Sequence, residues 1–229
     1  MLAFYENEDD AIMGKEKAGI CYVVGAGEND GLHIAPQAED YVVAADAGFL
    51  VLEQKGIRAD VVIGDFDTLG YVPEHPHAIA LQPEKDDTDM AAAVNEGIKA
   101  GYETFHIYCG MGGRIEHTIA NMQLLAKLSK DGKQGFLLGK DSVITAITDG
   151  EMAFEKDMSG YLSVFAHSDR AEGVYLKGLK YKLEDAELTN VYPLGVSNEF
   201  IGKESLVSVR KGTLFLIFPP NRSGKYALG

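Results

Sequence analysis

The sequence predicts an α/β protein with two parts: a Rossmann-like parallel-sheet domain over residues 1–148, and a small all-β sandwich domain over residues 149–229. Two observations support this division. In the first part, short apolar runs alternate with segments whose apolar residues recur at helical spacing. After about Asp149 the helical spacing disappears, and short alternating runs separated by glycines take its place. A chain of 229 residues is long enough to form both cores.

The apolar runs of the first part have the length of buried strands, and the segments between them predict helices that lie on the sheet. Alternation of this kind is typical of parallel βαβ units. The strand-like runs span residues 20–24, 41–45, 61–64, 77–81, 104–109 and 135–138. Helical spacing joins Met90, Ala93, Val94, Gly97 and Ile98, and again Ile115, Ile119, Met122 and Leu125.

The second part consists of short runs in which apolar and polar residues alternate. This period of two predicts strands with one buried face. The glycines between the runs predict turns, so we expect a small antiparallel sandwich or barrel of roughly 80 residues. The runs span residues 151–156, 161–165, 174–177, 206–210 and 213–218.

The overall charge limits the kinds of partner. A formal net charge of −14 argues against nucleic acid and against anionic membrane surfaces, both of which require a basic face. An anionic substrate would therefore need cations supplied locally. Cys21 and Cys109 each lie in an apolar run, which predicts reduced, buried thiols and a cytoplasmic protein. No run reaches the roughly 18 apolar residues of a membrane span and no basic leader is apparent, so we expect a soluble protein.

A pair of aspartates follows the predicted strand 61–64. Asp65 and Asp67 are two residues apart, so on an extended chain their carboxylates project to the same side. Ligands of open α/β sheets bind beyond the carboxyl ends of the strands, where this pair emerges. Two adjacent carboxylates repel each other unless a cation or a proton lies between them. The pair therefore predicts a divalent metal, and magnesium prefers carboxylate and phosphate oxygens.

A second acidic segment, residues 86–89, precedes the predicted helix that contains Met90. Two interpretations stay open for it. Asp and Thr are ordinary residues at a helix N-terminus, where exposed amides and the helix dipole favour them. Beside Asp65 and Asp67, however, an acid of this segment is also a candidate for a third metal ligand.

A glycine-rich turn joins a predicted strand to a predicted helix in the middle of the chain. Gly112 and Gly113 would let backbone amides approach phosphate groups there, and Arg114 adds a cationic fork. A plain glycine turn with surface charges is the alternative. Gly25, which precedes Gly27 in the turn after the first strand, is a further candidate for nucleotide contact, although short glycine turns are common at such positions.

The order of these motifs resembles the thiamine pyrophosphokinase family, and the resemblance covers nearly the whole chain. The matching segments are Ala-Asp-Ala-Gly at 45–48, Gly-Asp-Phe-Asp-Thr at 64–68, Asp-Asp-Thr-Asp at 86–89, Gly-Gly-Arg-Ile-Glu-His at 112–117 and Gly-Val-Ser-Asn at 195–198. Glu116 stands where the family more commonly has Asp, and Ala47 where Gly is usual. The chain also has no Trp, although some members stack an indole on thiamine.

The resemblance implies magnesium-dependent transfer of pyrophosphate from ATP to the hydroxyl of thiamine, giving thiamine diphosphate and AMP. It also implies a homodimer whose active sites lie at the subunit interface. The residues that match metal-binding acids are Asp65, Asp67 and Asp89, and those that match phosphate contacts are Lys85, Thr88 and Arg114. Asp46 matches another active-site acid, whereas Ser197 and Asn198 would approach thiamine from the partner subunit.

In the mechanism that we expect, the hydroxyl attacks the β-phosphorus of ATP in line, Arg114 stabilises the developing charge, and either Asp46 or Asp67 accepts the proton. Three rival hypotheses stay open. The segment 65–68 also fits a haloacid-dehalogenase-like phosphatase in which Asp65 is the nucleophile. A sensor that binds nucleotide or thiamine without turnover is the second, and a pterin alcohol as the acceptor is the third.

Overall fold

The computed structural model describes residues 17–29, 32–82 and 87–221. Within these ranges the chain forms three helices and fourteen strands. The helices are α1 (Gly48–Gln54), α2 (Asp89–Lys99) and α3 (Ile115–Lys130). The strands are β1 (Lys17–Val24), β2 (Tyr41–Ala45), β3 (Val61–Gly64), β4 (Ala78–Ala80), β5 (Tyr102–Tyr108), β6 (Gln134–Leu138), β7 (Val143–Thr148), β8 (Glu151–Phe154), β9 (Tyr161–Ala166), β10 (Arg170–Lys177), β11 (Leu183–Thr189), β12 (Gly195–Glu199), β13 (Ser205–Lys211) and β14 (Thr213–Phe218).

Ten of these strands form one mixed sheet in the order β12-β9-β14-β7-β6-β5-β1-β2-β3-β4. The strands from β6 to β4 run parallel, which confirms the α/β class predicted from the alternating runs. The other four strands add antiparallel pairs: β7 with β6, β14 with β7, β9 with β14 and β12 with β9. The sequence prediction omitted α1 and the strands β7, β11 and β12. β7 is buried on both faces and α1 has seven residues, so neither shows a clear period.

The large sheet is covered on both faces. Successive residues of a strand point to opposite sides, and β1 shows the consequence. Cys21 and Val23 belong to the buried cluster formed with α2 and α3, whereas Tyr22 and Val24 belong to the cluster that includes Leu52 of α1. Burial on both faces is the environment in which parallel strands are stable.

The remaining four strands form a separate antiparallel sheet in the order β11-β10-β13-β8. Its buried side chains, such as Val174 and Val207, share one apolar cluster with Leu162 of β9 and Leu214 of β14. The ten-stranded sheet continues across residue 148, because β14 pairs with β7 along its length. The fold is therefore α/β, with a large mixed sheet and a separate antiparallel sheet. A domain boundary at residue 148 stays a prediction.

Both cysteines are free and buried, as their apolar surroundings predict. Burial raises the pKa of the Cys109 thiol to about 11 and also raises the pKa of Cys21. Both thiols are consequently protonated near neutral pH. Among the described helices, none combines the length and the apolar character that crossing a membrane requires.

Candidate active site

Several predicted site residues lie where parallel strands of the large sheet end. Gly25 follows β1, Asp46 follows β2 and Asp65 follows β3, and the glycine-rich turn that contains Gly113 follows β5. These strands are neighbours in the order β5-β1-β2-β3, so their carboxyl ends share one edge. This edge is where open α/β sheets bind their ligands.

Three carboxylates meet at this edge. One oxygen each of Asp46, Asp65 and Asp67 lies within 4.8 Å of the others; we call these three residues the carboxylate group. Asp46 is buried, with 7 % of its surface exposed, Asp65 is half-buried and Asp67 is exposed. The carboxylate group is therefore shielded from solvent at Asp46 and accessible to solvent at Asp67. Carboxylates this close repel one another in the absence of a cation.

The position of Asp46 depends on close contact between the ends of β2 and β3. Its backbone has a left-handed φ of 49°, and its N–H donates to the Ile63 carbonyl at 2.9 Å. A Cβ atom at Gly64 would lie 3.0 Å from the Cα of Asp46. Glycine at position 64 thus allows the two strand ends to approach, which brings Asp46 to the residues that follow β3.

A turn centred on Phe66 brings Asp65 and Asp67 together. Phe66 has a φ of 58° and a buried ring, with 3 % of its surface exposed. The Asp67 N–H donates to Asp65 Oδ1 at 3.3 Å, and Thr68 Oγ1 donates to Asp67 Oδ1 at 3.1 Å. The expected reason for their proximity, alternation along an extended strand, is wrong because β3 ends at Gly64 and the intervening residue is left-handed.

The carboxylate group fits a magnesium ion. Asp46 Oδ1 is buried and accepts no hydrogen bond within the described part of the chain. A buried, ionised oxygen without a partner is strongly unfavourable unless a cation or a proton compensates it. Magnesium takes carboxylate oxygens as ligands and keeps further positions for water and phosphate. The orphaned Asp46 oxygen beside two other carboxylates is the kind of donor set that such an ion requires.

The second acidic segment has a different local structure. Thr88 is the N-cap of α2, and its Oγ1 accepts a hydrogen bond from the Ala91 N–H at 3.1 Å. Asp89 is the first residue of the helix and is not a member of the carboxylate group. The Thr88 hydroxyl oxygen therefore accepts the capping hydrogen bond, and its O–H can still donate to a phosphate. Lys85 and Asp86 lie outside the described residues.

The glycine-rich turn before α3 has two consecutive left-handed residues. Gly112 has a φ of 79° and Gly113 a φ of 58°. The Gly113 N–H donates to Glu28 Oε1 at 3.3 Å. The Gly25 N–H likewise donates within the protein, to the Tyr108 carbonyl at 2.9 Å, but Gly25 is buried. Of these two predicted nucleotide contacts, only Gly113 lies in an exposed turn.

Arg114 is the N-cap of α3 and points into solvent. Its Nε donates to Glu116 Oε1 at 2.7 Å, and this hydrogen bond lowers the pKa of the Glu116 carboxyl. Arginine has five N–H donors, so most of the fork can still meet an anion. Glu116, which stands where the resemblance leads us to expect Asp, accepts this hydrogen bond.

The predicted thiamine residues lie on β12, an edge strand of the large sheet. Ser197 is exposed and left-handed, with a φ of 56°, and its N–H donates to Ser163 Oγ. Asn198 is buried. Its Oδ1 accepts from the N–H groups of Tyr181 and Glu199, both at 2.9 Å, and its Nδ2 donates to the Tyr181 carbonyl at 2.6 Å. The Asn198 amide is therefore used within the protein.

Tyr181 is a candidate that the sequence prediction missed. Its backbone is held on both sides by Asn198, whereas 60 % of the residue is exposed. Next to it, the Lys180 ammonium pairs with the Glu199 carboxylate at 2.5 Å, and this contact raises the pKa of Lys180. The sequence offered one signal, a tyrosine between two lysines, but only the folded chain brings it to the Ser197-Asn198 segment.

Family models match both halves of the chain. Residues 33–137 match the catalytic domain of thiamin pyrophosphokinase, and residues 151–214 match its vitamin B1 binding domain. The first match contains Asp46, Asp65 and Asp67, and the second contains Tyr181 and Asn198.

Individual proteins give the same result. The chain is 30% identical over 182 residues to the thiamine pyrophosphokinase of Bacillus subtilis, which covers 76% of this chain and 85% of the relative. The crystal structure of thiamine pyrophosphokinase from Bacillus subtilis superposes with a TM-score of 0.76 at 27% identity, covering 88% of this chain and 98% of that one. A family member from Enterococcus faecalis has a TM-score of 0.75 at 28% identity, with coverages of 89% and 99%. From its sequence motifs, its fold and these matches, we conclude that the chain belongs to the thiamine pyrophosphokinase family.

Proposed function

We propose that this protein transfers a pyrophosphoryl group from ATP to the hydroxyl of thiamine, giving thiamine diphosphate and AMP. The observation that carries the proposal is the carboxylate group at the ligand-binding edge of the sheet, with its orphaned Asp46 oxygen, in a chain of this family. In the reaction the hydroxyl oxygen bonds to the β-phosphorus, and the bond from that phosphorus to the AMP oxygen breaks.

Asp46, Asp65 and Asp67 would hold magnesium, and we retain Asp89 as a further ligand that meets the metal when ATP is present. When bound, the ion supplies neutralisation of phosphate charge and orientation of the phosphate oxygens. The three carboxylates also make a cation necessary at the site, because without one their charge repels the triphosphate. Of the two proton acceptors expected from the sequence, we propose Asp67, because it is exposed, and we propose buried Asp46 as a ligand only.

The cationic contribution to phosphate binding would come from the start of α3. Arg114 is exposed there with unused guanidinium donors, and the Gly113 amide lies one residue earlier. The Thr88 O–H at the start of α2 is a second donor, and Lys85 is proposed on the family pattern alone. Such groups stabilise charge that develops on the phosphates during transfer. They also meet the requirement for local cations in a chain with a net charge of −14, for which we propose no nucleic-acid partner.

Thiamine would bind at the β12 edge. The exposed Tyr181 ring offers a flat apolar surface that can stack on an aromatic ring of the substrate, a role that no tryptophan can fill in this chain. Ser197 is exposed beside it, and Asn198 acts by holding the Tyr181 backbone. We thus propose Tyr181 and Ser197 as substrate contacts and Asn198 as a positioning residue.

The order of strands supports a site shared between two subunits. β12 is the first strand of the large sheet and β3 is the ninth, so eight inter-strand steps separate Ser197 from Asp65. At about 4.8 Å per step, this is roughly 38 Å along the sheet, more than one thiamine molecule can span. A homodimer in which β12 of one subunit faces the carboxylate group of the other would bring the two halves together.

Exposed apolar side chains are found at both ends of the proposed interface. We call those around β12 the apolar edge patch: Tyr161, Tyr181, Val191, Tyr192, Leu194, Val196 and Ile201. At the start of α3, Ile115 and Ile119 are also exposed, with 68 % and 53 % of their surfaces accessible. Apolar surface of this kind marks interaction sites. Both cysteines are free and buried, which is typical of proteins in a reducing compartment. We therefore propose that the homodimer is cytoplasmic.

Product identification tests the proposed reaction. We expect incubation with ATP, magnesium and thiamine to yield thiamine diphosphate and AMP in equal amounts, as measured by mass spectrometry, and we expect omission of magnesium to stop the reaction. Release of inorganic phosphate with a trapped phosphoaspartate at Asp65 would instead support the phosphatase hypothesis. Ligand binding without AMP would support the sensor, and faster reaction with a pterin alcohol would change the acceptor.

Replacing Asn198 by alanine tests the thiamine end. We expect KM for thiamine to rise roughly tenfold or more and the free energy of unfolding to fall by about 2 kcal/mol, because the polar groups of Tyr181 lose their partner. Asn190→Ala is a matched control, since Asn190 is an exposed asparagine whose side chain, among the described residues, donates to a surface carboxylate, Asp169. Steady-state kinetics and chemical denaturation measure both effects. An unchanged KM in a folded Asn198→Ala protein would contradict the assignment.

A further inference from the structure

The segment after β1 and the segment after β5 form one unit at the ligand-binding edge. The N–H groups of Gly25, Gly27 and Glu28 donate to the carbonyls of Tyr108, Cys109 and Met111, at 2.9, 2.7 and 3.1 Å. A Cβ atom at Gly27 would lie 2.5 Å from the Cys109 carbonyl oxygen, so this close approach requires glycine. Main-chain pairing thus continues past the strand ends and carries Glu28 to the turn before α3.

The Glu28 side chain then lies against that turn. Its Oε1 accepts the hydrogen bond from the Gly113 N–H. A Cβ atom built on Gly112 would lie 2.2 Å from the Glu28 carboxyl carbon and 2.6 Å from its Oε2. Glycine at position 112 therefore permits both the left-handed backbone and the contact with the carboxylate.

The turn has little rigidity of its own. Gly112 and Gly113 are adjacent, left-handed and exposed, and glycine has the greatest backbone freedom of all residues. Arg114, which follows them, makes no side-chain capping hydrogen bond to α3. A carboxylate near the start of a helix is also favoured by the helix dipole. Glu28 is well placed to hold this flexible segment in one conformation.

We propose that Glu28 is a positioning residue for nucleotide binding. Its carboxylate holds the Gly113 N–H and so sets the conformation of the Gly112-Gly113 turn, and thereby the direction from which the Arg114 fork approaches phosphate. This inference rests on the proposed function of the same site. The opposite hypothesis, that the carboxylate competes with phosphate for the Gly113 amide, predicts an effect of opposite sign on ATP affinity.

Two substitutions at Glu28 distinguish these hypotheses. Glu28→Gln keeps an oxygen acceptor of the same reach, whereas Glu28→Ala removes it. With ATP and magnesium titrated by calorimetry, we expect Glu28→Ala to bind ATP roughly five- to tenfold more weakly, and Glu28→Gln to stay within about twofold of the wild type. Hydrogen exchange of the Gly113 amide should accelerate in Glu28→Ala alone, while the KM for thiamine should not change.

Gly112→Ala provides a matched test of the contact itself. The new methyl group displaces the Glu28 carboxylate and also strains the left-handed backbone, so it weakens ATP binding. Adding Glu28→Ala to Gly112→Ala should then change the ATP affinity by less than about twofold, because the contact is already lost. Full additivity of the two effects would overturn the proposal.

The remaining outcomes separate the inference from the proposed function. If the wild type binds ATP and Glu28→Ala binds it equally well or more tightly, the positioning role is wrong while the proposed function stands. A Glu28→Gln protein as impaired as Glu28→Ala also overturns it, since the acceptor oxygen would then not be what matters. If the wild-type protein binds no ATP at all, the proposed function fails, and the positioning role fails with it.

Discussion

Replacing Asp46 by asparagine is expected to lower turnover by about 10²- to 10³-fold while the protein stays folded. The side chain keeps its size, and asparagine tolerates the left-handed φ of 49° that position 46 requires. The substitution removes the buried negative charge that would bind the metal together with the two other carboxylates. Because Asp46 is buried, this substitution leaves the exposed surface of the site almost unaltered.

The change in Tm on addition of magnesium tests, independently of activity, whether the carboxylate group binds the metal. At a hundredfold excess of magnesium over its Kd, the wild-type Tm should rise by about 5 to 10 °C. In Asp46→Asn this rise should disappear, and the metal-free variant should be at least as stable as the metal-free wild type, because repulsion within the carboxylate group is relieved. Both normal turnover and a normal magnesium response in Asp46→Asn would contradict the assignment.

Asp89→Asn is the matched comparison for this experiment. Asp89 opens α2 and lies outside the carboxylate group, so its variant should keep the Tm increase caused by magnesium alone. Its turnover should still fall, because we propose that Asp89 meets the metal only when ATP is present. Loss of the magnesium response in Asp89→Asn would instead make it a ligand in the free enzyme.

Mixing two impaired variants should restore activity at low thiamine if the active site is shared between subunits. Asp65→Asn damages the carboxylate group and Asn198→Ala damages the thiamine end, and the sheet order separates these positions within one chain. In a mixed dimer, one site receives both defects and the other receives none. A fully exchanged mixture should therefore reach about a quarter of wild-type activity, although Asp65→Asn alone is nearly inactive and Asn198→Ala alone has about a tenth or less of wild-type activity at low thiamine.

The control is a mixture whose subunits cannot exchange, prepared by adding the purified variants just before the assay. Heterodimers made by co-expression and purified through two different tags should show the recovery directly. Activity that equals the sum of the two parents, in a preparation proven to contain heterodimers, would contradict an interfacial site. It would leave the identity of the metal ligands unaffected, because the magnesium response of Tm tests those separately.

Local pattern was sufficient for much of the fold. β3 and the aspartates behind it were predictable because a short apolar run and the acids that follow it are adjacent in sequence. The helices α2 and α3 were predictable because each is long enough to show an apolar stripe. The expected geometry of Asp65 and Asp67 was wrong in detail, because the left-handed backbone of Phe66 depends on burial of its ring against distant residues.

Contacts between distant segments account for what local pattern did not reveal. Asp46 joins Asp65 and Asp67 because β2 pairs with β3, and Gly64 lets their ends meet. Asn198 contributes to the fold through Tyr181, which lies on the far side of β11 along the chain. Glu28 reaches Gly113 only because β1 pairs with β5. None of these partners is marked by spacing in the sequence.

Residue types and their order along the chain were therefore enough to predict the α/β class and candidate groups of the site, namely a pair of carboxylates after a strand and a glycine turn with an arginine, while the Ser-Asn segment at 197–198 came from the family resemblance. The folded chain was needed to decide which carboxylates meet, which polar side chains are already bonded, and how far β12 lies from β3. The physical reason is that strand order and strand-end contacts depend on pairing between segments far apart in sequence, whereas periodicity reports only on neighbours along the chain.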